Sequence, residues 1–151
     1  MTTARQIASF LAKYDPKIEA DARASRTRLR KMIPGGTEFV YDNYNALVFG
    51  FGPSERPSEA VVSLAIMPRW VTLCFLKGAK LRDPKKLLSG TGNIVRSIHL
   101  SSPRHLEDGD IRDLINQSIE AARPAFTGRP GKQQTVVKSI SVKQRPRRPS
   151  K

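Results

Sequence analysis

Apolar residues recur at helical spacing along the first part of the chain. Ile7, Phe10, Leu11 and Tyr14 fall at i, i+3, i+4 and i+7, one stripe of a helix that stops at Asp15-Pro16. The same pair opens a second helix, with Asp15 as N-cap and Pro16 at the first helical position. The stripe of that helix is Ile18, Ala22, Ser25, Leu29, Met32 and Ile33. Its opposite face carries Arg23, Arg26, Arg30 and Lys31, and Pro34-Gly35-Gly36 ends it. The spacing then changes to the alternation of strands. Residues 38–42 and 45–51 read as two strands or one bent strand, followed by the turn-forming loop Gly52 to Ser58. Residues 60–66 and 70–76 form a hairpin around Met67-Pro68-Arg69. A short helix is expected at Pro84 to Leu88 with Asp83 as its cap. A further strand runs from Asn93 to Leu100, and a last helix starts near Asp108 with the stripe Ile111, Leu114, Ile115, Ile119 and Ala122.

Sorting the strands by period two separates two faces. One collects Leu47, Phe49, Phe51, Val62, Leu64, Ile66, Val71, Leu73, Phe75, Ile94, Ile98 and Leu100, all large and apolar. The other collects Ala46, Val48, Gly50, Ser63, Ala65, Thr72, Cys74, Val95, Ser97 and His99, all small or polar except the two valines. The pattern predicts an α+β fold: an antiparallel β-sheet with helices packed on one face. The second face is then a groove for a ligand or partner, a solvated surface, or a seat for the C-terminal helix. Arg96 falls among the core-facing positions of its strand and needs a carboxylate there, for which Asp83 is favoured over Asp42.

Composition narrows the picture. A chain of 151 residues supports one ordinary domain. No segment reaches the ~20 apolar residues of a membrane helix, and the first ten residues lack the apolar core of a secretory signal. A single cysteine, Cys74, excludes an intrachain disulfide framework and a multi-cysteine metal site. The expected location is the cytoplasm.

Charge is the strongest bias. The net charge is +14, and the end of the chain is its most basic part. Arg129, Lys132, Lys138, Lys143, Arg145, Arg147, Arg148 and Lys151 follow Gly128 without one acid. With Val136, Val137, Ile140 and Val142 as its apolar residues from Thr135 on, this stretch is expected to stay unstructured. The expected organisation is one domain over residues 1–127 and a disordered basic tail over 128–151. Such a tail associates with nucleic acid through counterion release, and Lys143, Arg145, Arg147, Arg148 and Lys151 are its candidate contacts.

Chemistry-bearing groups are sparse. His99 and His105 lack metal-ligand spacing, and Cys74 lies in a central strand where a buried thiol is inert. Glu107, Asp108, Asp110 and Asp113 open a helix, where acids complement the dipole. Gly90-Thr91-Gly92 leads into a strand rather than a helix, the reverse of a phosphate loop. No nucleophile–base arrangement can be placed, so no enzymatic activity, cofactor or metal is expected. Tyr41-Asp-Asn-Tyr-Asn45 disfavours regular strand and predicts a bend. Tyr41, Asn43 and Tyr44, with Trp70, are the candidate ligand-binding residues. Equally, these polar groups can satisfy the backbone at the bend.

Three stretches, Tyr41-Asp-Asn-Tyr-Asn-Ala-Leu47, Leu73-Cys-Phe-Leu-Lys-Gly-Ala79 and Leu81-Arg-Asp-Pro84 with Gly90-Thr-Gly92 and Arg96 after it, resemble the YdhG-like family. The resemblance covers roughly residues 37–123. It implies a compact α+β domain of uncharacterised biochemistry, and one branch of the family is linked to a frataxin-like iron-chaperone role. The acids of this chain are not clustered as a hard cation requires. The resulting expectation is a non-enzymatic binding module for a small molecule or protein, with nucleic-acid association through the tail and iron handling as alternatives.

Overall fold

In a computed structural model, which describes residues 2–149, six strands form one sheet in the order β5-β4-β3-β2-β1-β6. The strands are β1 (Thr37–Asp42), β2 (Leu47–Gly52), β3 (Val62–Ile66), β4 (Val71–Phe75), β5 (Arg96–Leu100) and β6 (Gln134–Ile140). β1 to β5 pair antiparallel with their sheet neighbours, and β6 joins β1 in parallel. The helices are α1 (Thr3–Leu11), α2 (Pro16–Met32) and α3 (Gly109–Ala121). The architecture is α+β, as the periodicity predicts. No helix among the described residues is long and apolar enough to cross a membrane.

Registration across the sheet reproduces the two faces. Val40, Phe49, Leu64, Leu73 and Ile98 form one row, and Phe51, Val62 and Phe75 lie in the next. Ile7, Phe10 and Leu11 of α1, Ile18, Ala22 and Leu29 of α2, and Ile111, Leu114 and Ile115 of α3 share one cluster with these strands. All three helices therefore cover the same face. The tight turn from α2 into β1 rests on Gly35 and Gly36, both with φ near +78° (79° and 77°). A Cβ on Gly36 would stand 2.1 Å from the Gly52 carbonyl oxygen, which no L side chain tolerates.

Several expectations are corrected. Residues 128–149 are not an unstructured tail, since Gln134–Ile140 pairs with the edge of β1. Thr135, Val136 and Val137 are β-branched, and the unpaired edge of β1 supplies the ladder that so short an apolar run cannot build alone. Residues 141–149 then wrap the β1–β2 turn: Ser141 donates its N–H to Asp42 at 2.8 Å, and Arg145 to Tyr44 at 2.8 Å. The boundary at 127 therefore cuts through the fold. Lys151 lies outside the described residues.

Pro84 to Leu88 forms no helix. Asp83 does cap the backbone there, accepting from the N–H groups of Leu87 and Leu88 at 2.9 Å each. Arg96 is not paired with Asp83. It sits on the edge strand β5, its stem against Gly78, and donates to the carbonyls of Gly92 and Val95 at 2.6 and 2.9 Å. An edge position lets the guanidinium reach loop carbonyls and solvent, so no carboxylate is needed. Ile94 precedes β5 and is exposed rather than core-facing.

Candidate functional site

The helix-covered face is not uniformly apolar. On β1 the inward positions alternate Glu38, Val40, Asp42, and both carboxylates are fully buried. Glu38 accepts from Arg26 of α2 at 2.7 and 2.8 Å, from Thr135 of β6 at 2.8 Å, and also from Arg30. Arg26 and Arg30 were expected on the solvent face of α2. They instead lean over its flank to the sheet edge, where a buried carboxylate offers a bidentate partner. Arg26 also lies over the Phe49 ring, 5.2 Å from its centroid.

Asp42 is held from both ends of the chain. Lys13 donates at 2.7 Å and Arg147 at 2.9 Å. Arg147 also donates to the carbonyls of Asn43 and Tyr44. Burial alone would push the Asp42 carboxyl up, but Lys13, Gln144 and Arg147 hold it below the ordinary carboxylate range. Arg148 donates to the Lys13 carbonyl at 3.2 Å and stands 3.7 Å from Asp15. Of the candidate nucleic-acid contacts, Arg147 is thus committed to the interior, Arg148 is tied to the α1–α2 corner, and Lys143 and Arg145 stay exposed.

The four candidate ligand-binding residues do not converge. Asn43 accepts from the Ser139 hydroxyl at 3.2 Å, and the Tyr44 carbonyl accepts from Arg145, so the bend is closed by its own C-terminal segment. Tyr44 is exposed at the turn. Tyr41 and Trp70 both belong to the face without helices, at opposite ends. There Tyr41, Val48, Ala65, Thr72 and His99 make one transverse row, and Phe39, Gly50, Ser63, Cys74 and Ser97 the next. Trp70 stacks on His99, with ring centroids 4.7 Å apart and planes at 22°. The floor between the aromatic ends is small: Gly50, Ser63 and Thr72 are buried beneath it.

Among titratable groups of this face, burial pushes the Cys74 thiol up, opposed by a hydrogen bond with Ser63. Burial likewise raises the Tyr41 phenol. Both are neutral near pH 7 and neither is primed as a nucleophile. Among the described residues, no group of three or more His, Cys, Asp or Glu side chains comes together to hold a metal ion.

Two features escaped the sequence reading. The partner of Trp70 is His99, a pairing set by the β3–β4 turn and the β4–β5 register, which long connections conceal. The pair of inward acids four residues apart on β1, Glu38 and Asp42, was a legible signal for Arg26, Arg30 and Arg147, because buried carboxylates require cations. No family model, curated protein or solved structure matches this chain.

Proposed function

We propose that this protein is a non-enzymatic module that binds single-stranded nucleic acid on the open face of its sheet. The observation that carries the reading is the stacked Trp70–His99 pair on that face, with Tyr41 closing the same row across four strand spacings, roughly 19 Å. Aromatic platforms over a floor of small side chains give unpaired bases a surface to stack on. The phosphates need cations around that surface. Arg69 is exposed beside Trp70, and Lys138 is exposed on β6 at the other end, with Lys143 and Arg145 beyond it. A flat sheet offers no helix or ribbon to enter a duplex groove, so single strands are favoured over duplex.

Trp70 is the one tryptophan of the chain, so its fluorescence reports the site directly. Titration with a single-stranded oligonucleotide quenches it. Trp70→Ala weakens binding by roughly 5- to 150-fold, the range of one base–aromatic stack. Binding without quenching, equal affinity for duplex, or full affinity in Trp70→Ala each overturns the proposal.

A further inference from the structure

On the other side of the sheet, between α2, α3 and the 3-10 turn Pro103–Glu107, lies an open cleft of about 600 Å³. Helical spacing builds it. α2 directs Ile18, Ala22, Ser25 and Leu29 into the core, which leaves Thr27, Arg28, Lys31 and Met32 along one flank. α3 buries Ile111, Leu114, Ile115 and Ser118, which leaves Arg112 and Asn116, one turn apart, on the facing flank. Buried Leu106 and half-buried Met32 give the cleft an apolar patch.

Three cations meet there and are poorly neutralised. Lys31 and Arg112 are exposed and form no ion pair among the described residues. Arg28, half-buried, faces exposed Glu107, the one acid of the lining, at 3.5 Å, a long contact. Such a pair is worth little in water. The neighbouring Arg26 and Arg30 show the contrast, since both are spent on buried Glu38.

The geometry points to a second binding site, for a small organic phosphate monoester, in this α2–α3 cleft. A phosphate monoester carries nearly two negative charges near neutral pH and three acceptor oxygens, matching two guanidinium groups and an ammonium that converge without a carboxylate of equal number. Asn116 adds a neutral donor. The volume exceeds what one phosphate fills and falls in the range of small-molecule sites, and the Met32–Leu106 patch receives the ester's carbon substituent. Glu107 competes for Arg28, so arrival of the phosphate transfers Arg28 from the carboxylate to the ligand. The site is independent of the sheet-face reading, since the sheet separates it from Trp70 and His99.

The test is calorimetric titration of the full chain with n-butyl phosphate, inorganic phosphate and n-butanol, with backbone amide NMR shifts to locate the site. Probes without an aromatic ring keep it separate from stacking on Trp70. Expected are saturable binding of n-butyl phosphate tighter than that of inorganic phosphate, none of n-butanol, and shifts centred on Arg28, Lys31, Arg112 and Asn116. Lys31→Gln and Arg112→Gln each weaken binding about tenfold, as loss of a charge-assisted contact does, without a change in melting temperature, because both side chains are exposed. Glu107→Gln strengthens binding, and Trp70→Ala leaves it unchanged. Non-saturable binding, shifts centred elsewhere, full affinity in Arg112→Gln, or weakened binding in Glu107→Gln overturns the assignment.

Discussion

At Asp42 a carboxylate with no solvent exposure is contacted by Lys13, a residue of the α1–α2 connection, and by Arg147, near the chain's end. Removing one cation leaves a charge in the interior that water cannot reach. Arg147→Met should cost roughly 2–3 kcal/mol, below the about 3–5 of a wholly unpaired buried charge because Lys13 remains. Denaturant unfolding measures it, and an unchanged midpoint would mean that the Arg147–Asp42 ion pair contributes nothing to stability. The pH dependence has a definite sign. The folded pKa of Asp42 is depressed, so its stabilisation is complete above the unfolded value of about 3.9 and is lost as pH falls through the lower folded value. The stability gap between the native chain and Asp42→Asn should therefore close in that acid range and stay constant above it. A gap independent of pH down to acid unfolding would show that Asp42 carries no linked proton. Phe75, fully buried between β3 and β5, offers the apolar counterpart: Phe75→Ala should cost about 3–5 kcal/mol by the same measurement.

Among the elements, those with a strong local period were legible and those made by long-range pairing were not. α1, α2 and α3 each show an apolar stripe, and their observed limits follow the Pro16 start and the Pro34-Gly35-Gly36 stop. β2, β3 and β4 alternate between large apolar and small or polar side chains because one face packs against the helices and the other does not. β6 was hidden because it lies within the basic C-terminal stretch, and its order comes from the edge of β1 rather than from its own apolar content. The site was legible only in part. Trp70 and Tyr41 could be named, but their partners depend on register and on the C-terminal wrap. The same facts make residues 128–149 part of the fold. Deleting them strips β1 of its parallel neighbour, takes Thr135 from Glu38 and takes Arg147 from Asp42. The truncated chain should melt well below the full chain and associate through the bared β1 edge, seen as a lower transition in calorimetry and a concentration-dependent mass in light scattering. Equal melting temperatures would mean that β6 docks without consequence.

Across the whole molecule, a net charge of +14 is spread so that the two buried acids consume Lys13, Arg26, Arg30 and Arg147, while the remaining surface cations are unmatched or weakly paired. Charge of this kind brings polyanions to the surface but does not choose where they lie. The salt dependence of binding separates the possible surfaces. If a single strand lies on the open sheet face against Arg69, Lys138, Lys143 and Arg145, the logarithm of affinity should fall linearly with the logarithm of salt, with a slope of about −3. Lys143→Gln with Arg145→Gln should flatten that slope by about 1.4. Arg147→Met, measured where the variant remains folded, should leave it unchanged, because a guanidinium bonded to Asp42 and two carbonyls has no charge free for phosphate. Lys31→Gln with Arg112→Gln, on the helix side, should leave it unchanged as well. A slope that flattens equally for Arg147→Met would mean that the C-terminal segment leaves the fold when it binds, and a slope governed by Lys31 and Arg112 would move the nucleic acid from the sheet to the helices.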